Sequence, residues 1–471
     1  MNKQFITISC LSVVLSLSGC ISMQPEVPEA DAGIGQDWSP PGPVQPSGAA
    51  EGTPLGEIAN IGWRDFFSDP NLVELIGLAL DNNRNLRTAA LNVERARAQY
   101  RIQRADKLPS IGGNGYLTRR GGDGQVNVEL YTAELGLASY EVDMFGRVAS
   151  LSEAALNRYL ATEEARTSAQ LSLIAEVANA YMTLAADRQL QQLASYSLDL
   201  YQEELALTQR RFELGAVSSL DLNQARTIVA NAKAEVALYD GQVAQDISAL
   251  NLLVGAPVRP DLLPEDFSPA TAGLDALPSG MPSQVLLRRP DIRQAELQLL
   301  AANANIGAAR AAFFPSITLT GSYGSTSVEL DDLFSSGTDV WSFMPAINIP
   351  IFQGGRLRAN RDVAYADRDI ALAGYEQSIQ RGFKEVSDAL ILRRTLADRR
   401  TALEELVSAA EDTQRLSEER YHAGQDSYLI LLDAQRTLYA ARRALVQAGL
   451  SEQANLINLY KVLGGGWKEQ S

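Results

Sequence analysis

Two stretches of the chain keep a helical pattern of apolar and polar positions for 68 residues without a proline, Arg147 to Leu214 and Arg356 to Ala423. The first also lacks glycine, and the second contains only Gly374 and Gly382. At 1.5 Å of rise per residue, each unbroken helix would reach about 100 Å. A rod of that length cannot fold onto a compact core and must lie along neighbouring helices. Leu171, Ile174, Ala178, Tyr181 and Ala185 form the stripe that such packing would bury. Shorter helical runs accompany the rods. Asp69-Pro70 supplies a cap and a first-turn proline for Asn71 to Lys107. Ser218 to Val254 and Ser427 to Leu463 are 37 residues each, and Pro282 to Phe314 is 33. Stacked end to end, Ser218–Val254 and Pro282–Phe314 would nearly match one rod, and Asn71–Lys107 would stack on Ser427–Leu463 in the same way.

Between these runs the period changes to two. One such stretch runs from about Pro109 to Val142 and turns at Arg119–Gly124; the other runs from about Pro315 to Ile351, with a longer loop from Ser325 to Asp339. Ile317, Leu319, Gly321 and Tyr323 share a face; so do Trp341, Phe343, Ile347, Ile349 and Ile351, and so do Tyr131, Ala133, Leu135 and Leu137. About ten alternating residues with aromatics near the ends fit the lipid-facing wall of a barrel; a soluble sheet packed on the helices would show a similar alternation. Beyond the N-terminal signal no run of about 18 apolar residues occurs, so a membrane crossing would have to use strands. Four strands are fewer than the roughly eight of the smallest transmembrane barrels. Two chains would supply eight strands and three would supply twelve.

The chain also repeats itself. Arg211, Gly215, Ser218, Leu220, Leu222 and Ala225 recur as Arg420, Gly424, Ser427, Leu429, Leu431 and Ala434, at a constant offset of 209. Asn85-Leu86-Arg87 and Pro109-Ser110-Ile111 recur as Asp291-Ile292-Arg293 and Pro315-Ser316-Ile317, at an offset of 206. In each copy of the first motif one helix ends at a Gly and another starts behind a Ser, which is the grammar of a tight helical hairpin. The organisation is a signal segment at 1–19, a tether at 20–60, a first repeat at 61–265, a linker at 266–281, a second repeat at 282–465 and a tail at 466–471.

The N-terminus adds an address. Lys3 precedes an apolar run, and Leu17-Ser18-Gly19-Cys20 matches a lipoprotein signal in which the Cys20 thiol takes a diacylglycerol; an ordinary secretory signal is the alternative. Ile21 follows where an Asp would suggest inner-membrane retention, which points to an outer membrane. Cys10 leaves with the signal, so no internal disulfide can form. A formal charge of −16 argues against nucleic-acid binding. His422 is the only histidine, and no phosphate loop, nucleophile elbow or metalloprotease motif occurs, so neither an enzyme nor a cofactor or metal site is expected.

Taken with the lipobox, both Pro-Ser-Ile strand entries, Arg289-Pro290-Asp291-Ile292-Arg293 and both Arg-x3-Gly-x2-Ser-x-Leu hairpins, residues 60–465 resemble the outer-membrane factor (TolC-type) family. The resemblance implies a mainly α fold with a small transmembrane β part. The tandem-duplicated protomer would belong to a trimeric, twelve-stranded β-barrel continuous with a long α-helical barrel. It implies the exit duct of a tripartite efflux pump, with a periplasmic adaptor protein and an inner-membrane pump of the resistance-nodulation-division type as partners and outer-membrane lipid as surroundings. By position it implies an adaptor-binding tip at Arg211, Gly215, Val217, Ser218, Leu220, Arg420, Gly424, Ser427 and Leu429. It likewise implies gate carboxylates at Asp221, Asp426 and Asp433. Arg211 and Arg420 have a second reading as cations suited to helix C-termini. A duct for type I protein secretion would share the fold, and a non-conducting structural coiled-coil lipoprotein is the reading from another class.

Overall fold

A computed structural model of the chain describes residues 22–33, 61–123, 128–267 and 283–465. Cys20, the signal segment, most of the tether and linker, and the tail lie outside the described residues. Packing divides the chain into two compact units. One comprises Met1–Asp31, Leu91–Glu164 and Arg293–Ser378; the other comprises Ala32–Ala90, Ala165–Ile292 and Ile379–Ser471.

The first unit contains the sheet. Strands β1 (Ile111–Arg120), β2 (Val128–Val142), β3 (Ser316–Ser327) and β4 (Asp339–Asn348) run antiparallel in the order β1-β2-β3-β4. The central β2–β3 pairing joins the two repeats, and its register shifts between Leu137 and Tyr140, next to Ser139 at φ 46°. The register confirms the alternation. Leu135 lies opposite Tyr323, which lies opposite Trp341, and Gly321 lies opposite Phe343. Leu135, Tyr323, Trp341, Phe343 and Ile347 are all at least 60% exposed, forming an exposed apolar face. On the other face Thr132 and Thr326 share a hydrogen bond of 3.3 Å, and Ser322 and Ser342 one of 2.9 Å. β4 ends at Asn348, so Ile349 and Ile351 lie beyond the strand. The reason is Pro350, which has no N–H to donate and restricts the residue before it. No helix among the described residues is long and apolar enough to cross a membrane.

Eight helices complete the described chain. Helix α1 (Trp63–Phe66) is a single turn, followed by α2 (Pro70–Asn82) and α3 (Arg84–Ala105). The long helices are α4 (Arg147–Glu213) and α7 (Arg356–His422), each 67 residues. The return helices are α5 (Ser219–Val254) and α8 (Tyr428–Val462), and α6 (Pro290–Ala311) precedes β3. In the second unit the side chains of Trp63, Phe66, Leu72, Leu75 and Ile76 form a core with Ile174, Tyr181 and Leu184 of α4, Leu250 of α5 and Ile457 of α8. The predicted stripe on α4 is buried throughout, with Leu171, Ile174, Ala178, Tyr181 and Ala185 at most 5% exposed. Asp69 caps α2 as expected, accepting from the backbone N–H groups of Asn71 and Leu72, and also accepts from the Tyr181 hydroxyl at 2.8 Å.

Two expectations about the shorter helices are corrected. The run from Asn71 to Lys107 is broken at Asn83, whose backbone is extended (φ −62°, ψ 126°). Asn83 is 6% exposed; its Oδ1 caps Leu86 N–H at 3.0 Å, and its Nδ2 donates to Leu253 O at 2.8 Å. The run from Pro282 to Phe314 is likewise divided into a 3₁₀ turn, Ser283–Arg288, and α6, because Pro290 holds Arg289 out of the helix. The stacking also differs. The end of α5 meets the start of α3, and the end of α8 meets Arg289 before α6, so each return helix abuts a helix of its own repeat. Arg289 Nη1 donates to Val462 O at 3.0 Å while its other nitrogens bind Asp291 and Glu385, both through Nη2 at 2.7 Å. Asn83 with Leu253, and Arg289 with Val462, occupy equivalent positions in the two repeats. Gly255 (φ 77°) and Gly464 (φ 74°) end the return helices at both junctions. A Cβ at Gly255 would stand 2.6 Å from Asn82 O.

Asn83→Ala removes a cap and a cross-helix hydrogen bond together, and should lower unfolding stability by about 1–3 kcal/mol. Asn83→Asp keeps the cap acceptor but lacks the donor to Leu253, and should still lose stability. Denaturant unfolding of both variants measures this; unchanged stability in both would show that the junction does not depend on Asn83.

Candidate functional site

Both predicted hairpins form, and they close by the same backbone device. Gly215 (φ 72°) and Gly424 (φ 71°) adopt the left-handed conformation that a side chain would disfavour. Ala216 N–H bonds Arg211 O at 2.8 Å and Gly215 N–H bonds Phe212 O at 2.9 Å; Gln425 to Arg420 (2.9 Å) and Gly424 to Tyr421 (3.0 Å) repeat the pattern. This pairing satisfies the last carbonyls of α4 and α7 and reverses the chain.

The next helices start differently. Ser218 forms a full capping box: its side chain accepts from Asp221 N–H, and the Asp221 carboxylate accepts from Ser218 N–H at 3.0 Å and from its hydroxyl at 2.7 Å. The hydrogen bond from the Ser218 hydroxyl holds the Asp221 carboxyl below its ordinary range. Ser427 makes no side-chain cap. There Asp426 instead pairs with Arg420, through Nε at 2.6 Å and Nη2 at 2.9 Å, and this bonding lowers its pKa.

The two equivalent arginines therefore do different work. Arg420 stays within its own hairpin. Arg211 crosses to the other, donating from Nη1 to the Tyr421 hydroxyl at 2.6 Å, with its guanidinium carbon 5.4 Å from the ring centroid. The Tyr421 hydroxyl donates in turn to Glu204 Oε1 at 3.0 Å. Burial first, and the Glu204 carboxylate beside it, raise the pKa of Tyr421, so the proton needed for this bond is retained. Tyr428 lies against Tyr421 with ring centroids 5.8 Å apart, and burial raises its pKa as well. Glu204, Tyr421 and Tyr428 were not among the predicted site residues. One signal could have found Tyr421: at the 209 offset the first repeat has Phe212, so only the second copy carries the hydroxyl.

Around this clasp the hairpins expose apolar side chains. Leu214 is 85% exposed and Leu220 65%, while Val217 is half-buried. Leu220 and Leu429 line a groove of about 920 Å³ between α4, α5 and α8, with Tyr201, Leu432, Arg436 and Tyr439. Asp433 is exposed on α8 and lines a second groove, of about 420 Å³, against α7. The three predicted gate carboxylates are thus not assembled: Asp221 and Asp426 are bound within their own hairpins and Asp433 stands apart. Among the described residues, no group of three or more His, Cys, Asp or Glu could hold a metal ion. His422 is exposed, 3.9 Å from Glu418.

The family model described as Outer membrane efflux protein matches residues 75–256 and 281–465. The chain belongs to that family. Among its relatives, the probable efflux pump outer membrane protein TtgC of Pseudomonas putida is 45% identical over 100% of this chain and 97% of its own length. Outer membrane protein OprJ of Pseudomonas aeruginosa is 40% identical over 100% of this chain and 98% of its own. The open state of the Neisseria gonorrhoeae MtrE outer membrane channel superposes with a TM-score of 0.85 at 40% identity, covering 95% of this chain and 99% of that one. The family is one of outer-membrane channels, and the two repeats carry its fold.

The clasp and the cap can be separated experimentally. Tyr421→Phe keeps the ring and loses both hydrogen bonds, which should speed amide exchange in 205–214 and 415–423 by roughly tenfold. Ser218→Ala should speed exchange only in the first turn of α5, by a similar factor. Equal effects of the two variants at both places would show that no cross-hairpin clasp exists.

Proposed function

We propose that this chain is one protomer of the outer-membrane exit duct of a tripartite efflux pump, through which toxic compounds pass passively from the periplasm to the exterior. The observation that carries the reading is the four-stranded sheet, apolar and exposed on one face, that leads into two 67-residue helices ending in matched, exposed hairpins. A sheet in hydrocarbon must have no open edge, so further copies must supply strands. Three copies give twelve strands, and a wall of helices continuing them encloses a conduit. The names of the relatives, as efflux pump proteins, favour efflux over protein secretion.

In this reading the hairpins are the contact with a periplasmic adaptor, which links the duct to an inner-membrane pump of the resistance-nodulation-division type. Leu220 and Leu429, with the groove they line, offer the apolar surface an adaptor helix would cover. The mouth closes through the protomer's own contacts. Arg211, Tyr421 and Glu204 hold the two hairpins together, while Asp433, free of its own hairpin, is the carboxylate presented to neighbouring copies. The Cys20 thiol carries the lipid that holds the mature N-terminus at the outer membrane. The duct needs no catalytic group or cofactor, because the pump supplies the energy.

Planar-bilayer recording of the purified protein, together with complementation of a deletion strain, tests this function. The protein should conduct ions, the deletion should sensitise cells to several toxic compounds, and Tyr421→Phe should raise basal conductance severalfold. A protein that inserts and conducts nothing, in a strain with unchanged sensitivity, would contradict the reading.

A further inference from the structure

The N-terminal segment at 22–31 has no helix or strand, yet it is held at defined points. Gln24 Nε2 donates to Glu153 Oε2 of α4 at 2.7 Å and approaches the hydroxyl of Ser150 at 3.5 Å. Asn303 of α6 donates from Nδ2 to Pro25 O at 2.9 Å, and Arg310 of α6 donates from Nη1 to Met23 O at 3.2 Å. Farther along, Asp31 N–H donates to Glu376 of α7 at 3.0 Å. Pro25 and Pro28 suit such an extended path, because they lack an N–H that would need a partner.

The receptor is shaped for its occupant. Gly307 lies inside α6, where glycine is less favourable than alanine. A Cβ there would stand 2.6 Å from Gln24 Cγ and 2.7 Å from Ser150 Oγ. One turn away, Asn303 is only 3% exposed, and its carboxamide bonds Pro25 while its Oδ1 has no partner among the described residues. The duplication provides an internal comparison. At the 206 offset the first repeat places Arg97 and Arg101 where the second has Asn303 and Gly307. Both arginines are exposed. There is thus one notch per chain for one N-terminal segment per chain. A passive tether would need no notch.

We propose that residues 22–31 are a latch rather than a tether. Seated at Gly307 and Asn303, the segment clamps the start of α4, from the first repeat, against α6, from the second, beside the sheet into which both lead. Sheet and helices are thereby held in one arrangement by a strand of chain that is the first part of the mature protein to be exported. The inference concerns assembly and stability of the protomer, and it stands whether the duct carries drugs or another cargo.

The test uses the full-length protein purified from outer membranes. In one variant, 22–31 is replaced by a Gly/Ser segment of equal length, which leaves Cys20 and the groove intact. In a second, Gly307→Val fills the notch, with Gly307→Ala as the milder step. A Met23→Cys reporter reads seating by its rate of labelling with a bulky maleimide, since Arg310 holds the backbone and not the side chain of Met23. The latch predicts at least tenfold faster amide exchange at 148–156 in the replaced variant, with exchange at 205–214 unchanged. It also predicts at least tenfold faster Cys labelling for Gly307→Val, and an intermediate rate for Gly307→Ala. Should Gly307→Val fail to fold, the replacement variant alone decides. Unchanged exchange at 148–156 in that variant, or Cys labelling equally fast with and without the valine, overturns the proposal.

Discussion

The constraint on which the rest depends is that a backbone N–H or C=O has nothing but another backbone group to bond with in hydrocarbon. Here a sheet of four strands exposes aromatic and branched side chains on one face, while the outer sides of β1 and β4 have no partner among the described residues. Such a sheet is incomplete in lipid and would be an aggregation hazard in water. Completing it with strands from identical chains satisfies every edge at once, and it does so without any apolar helix. The apolar stripe of α4 meets a different need: Ile174, Ala178 and Tyr181 are buried within the chain itself, against α1, α2, α5 and α8.

Duplication supplies the parts twice, and the two copies have kept some of them alike and let others diverge. The hairpin turns remained alike, with Gly215 and Gly424 at nearly the same φ and the same two backbone bonds. The junctions stayed alike in role but not in chemistry: a neutral carboxamide at Asn83 and a guanidinium at Arg289 each reach the end of a return helix. The buried Arg289 is neutralised by Asp291 and Glu385, as a charge withdrawn from water requires. The clasp exists in one copy only, since Tyr421 carries a hydroxyl where Phe212 has none. So does the notch for the N-terminal segment.

Patterns with a single physical cause were legible in the sequence. Sixty-odd residues without a proline read as a long helix, and a Gly followed three residues later by Ser at the end of such a run reads as a reversal. The alternation in β2, β3 and β4 fixed which side chains share a face, because a pleat has a period of two. Features set by contacts between distant residues were not legible. The break at Asn83 carries no glycine or proline; it depends on Leu253, 170 residues away. That α5 abuts α3 and not α6 is likewise a choice between two stackings of equal length, decided by side chains at the junction. At the tip, position alone suggested aspartates as the gate. Two of these aspartates are bound in local turns, and the cross-hairpin bond passes through a tyrosine, whose hydroxyl is invisible to a search for charge.

The central claim is that the sheet closes with copies of its own chain, and the stoichiometry of the membrane-extracted protein tests it most directly. Native mass spectrometry in a mild detergent should find three chains per particle and no other stable assembly. A particle of one chain would contradict the account, because it would leave the edges of the sheet open, and a particle of two would contradict the twelve-stranded reading.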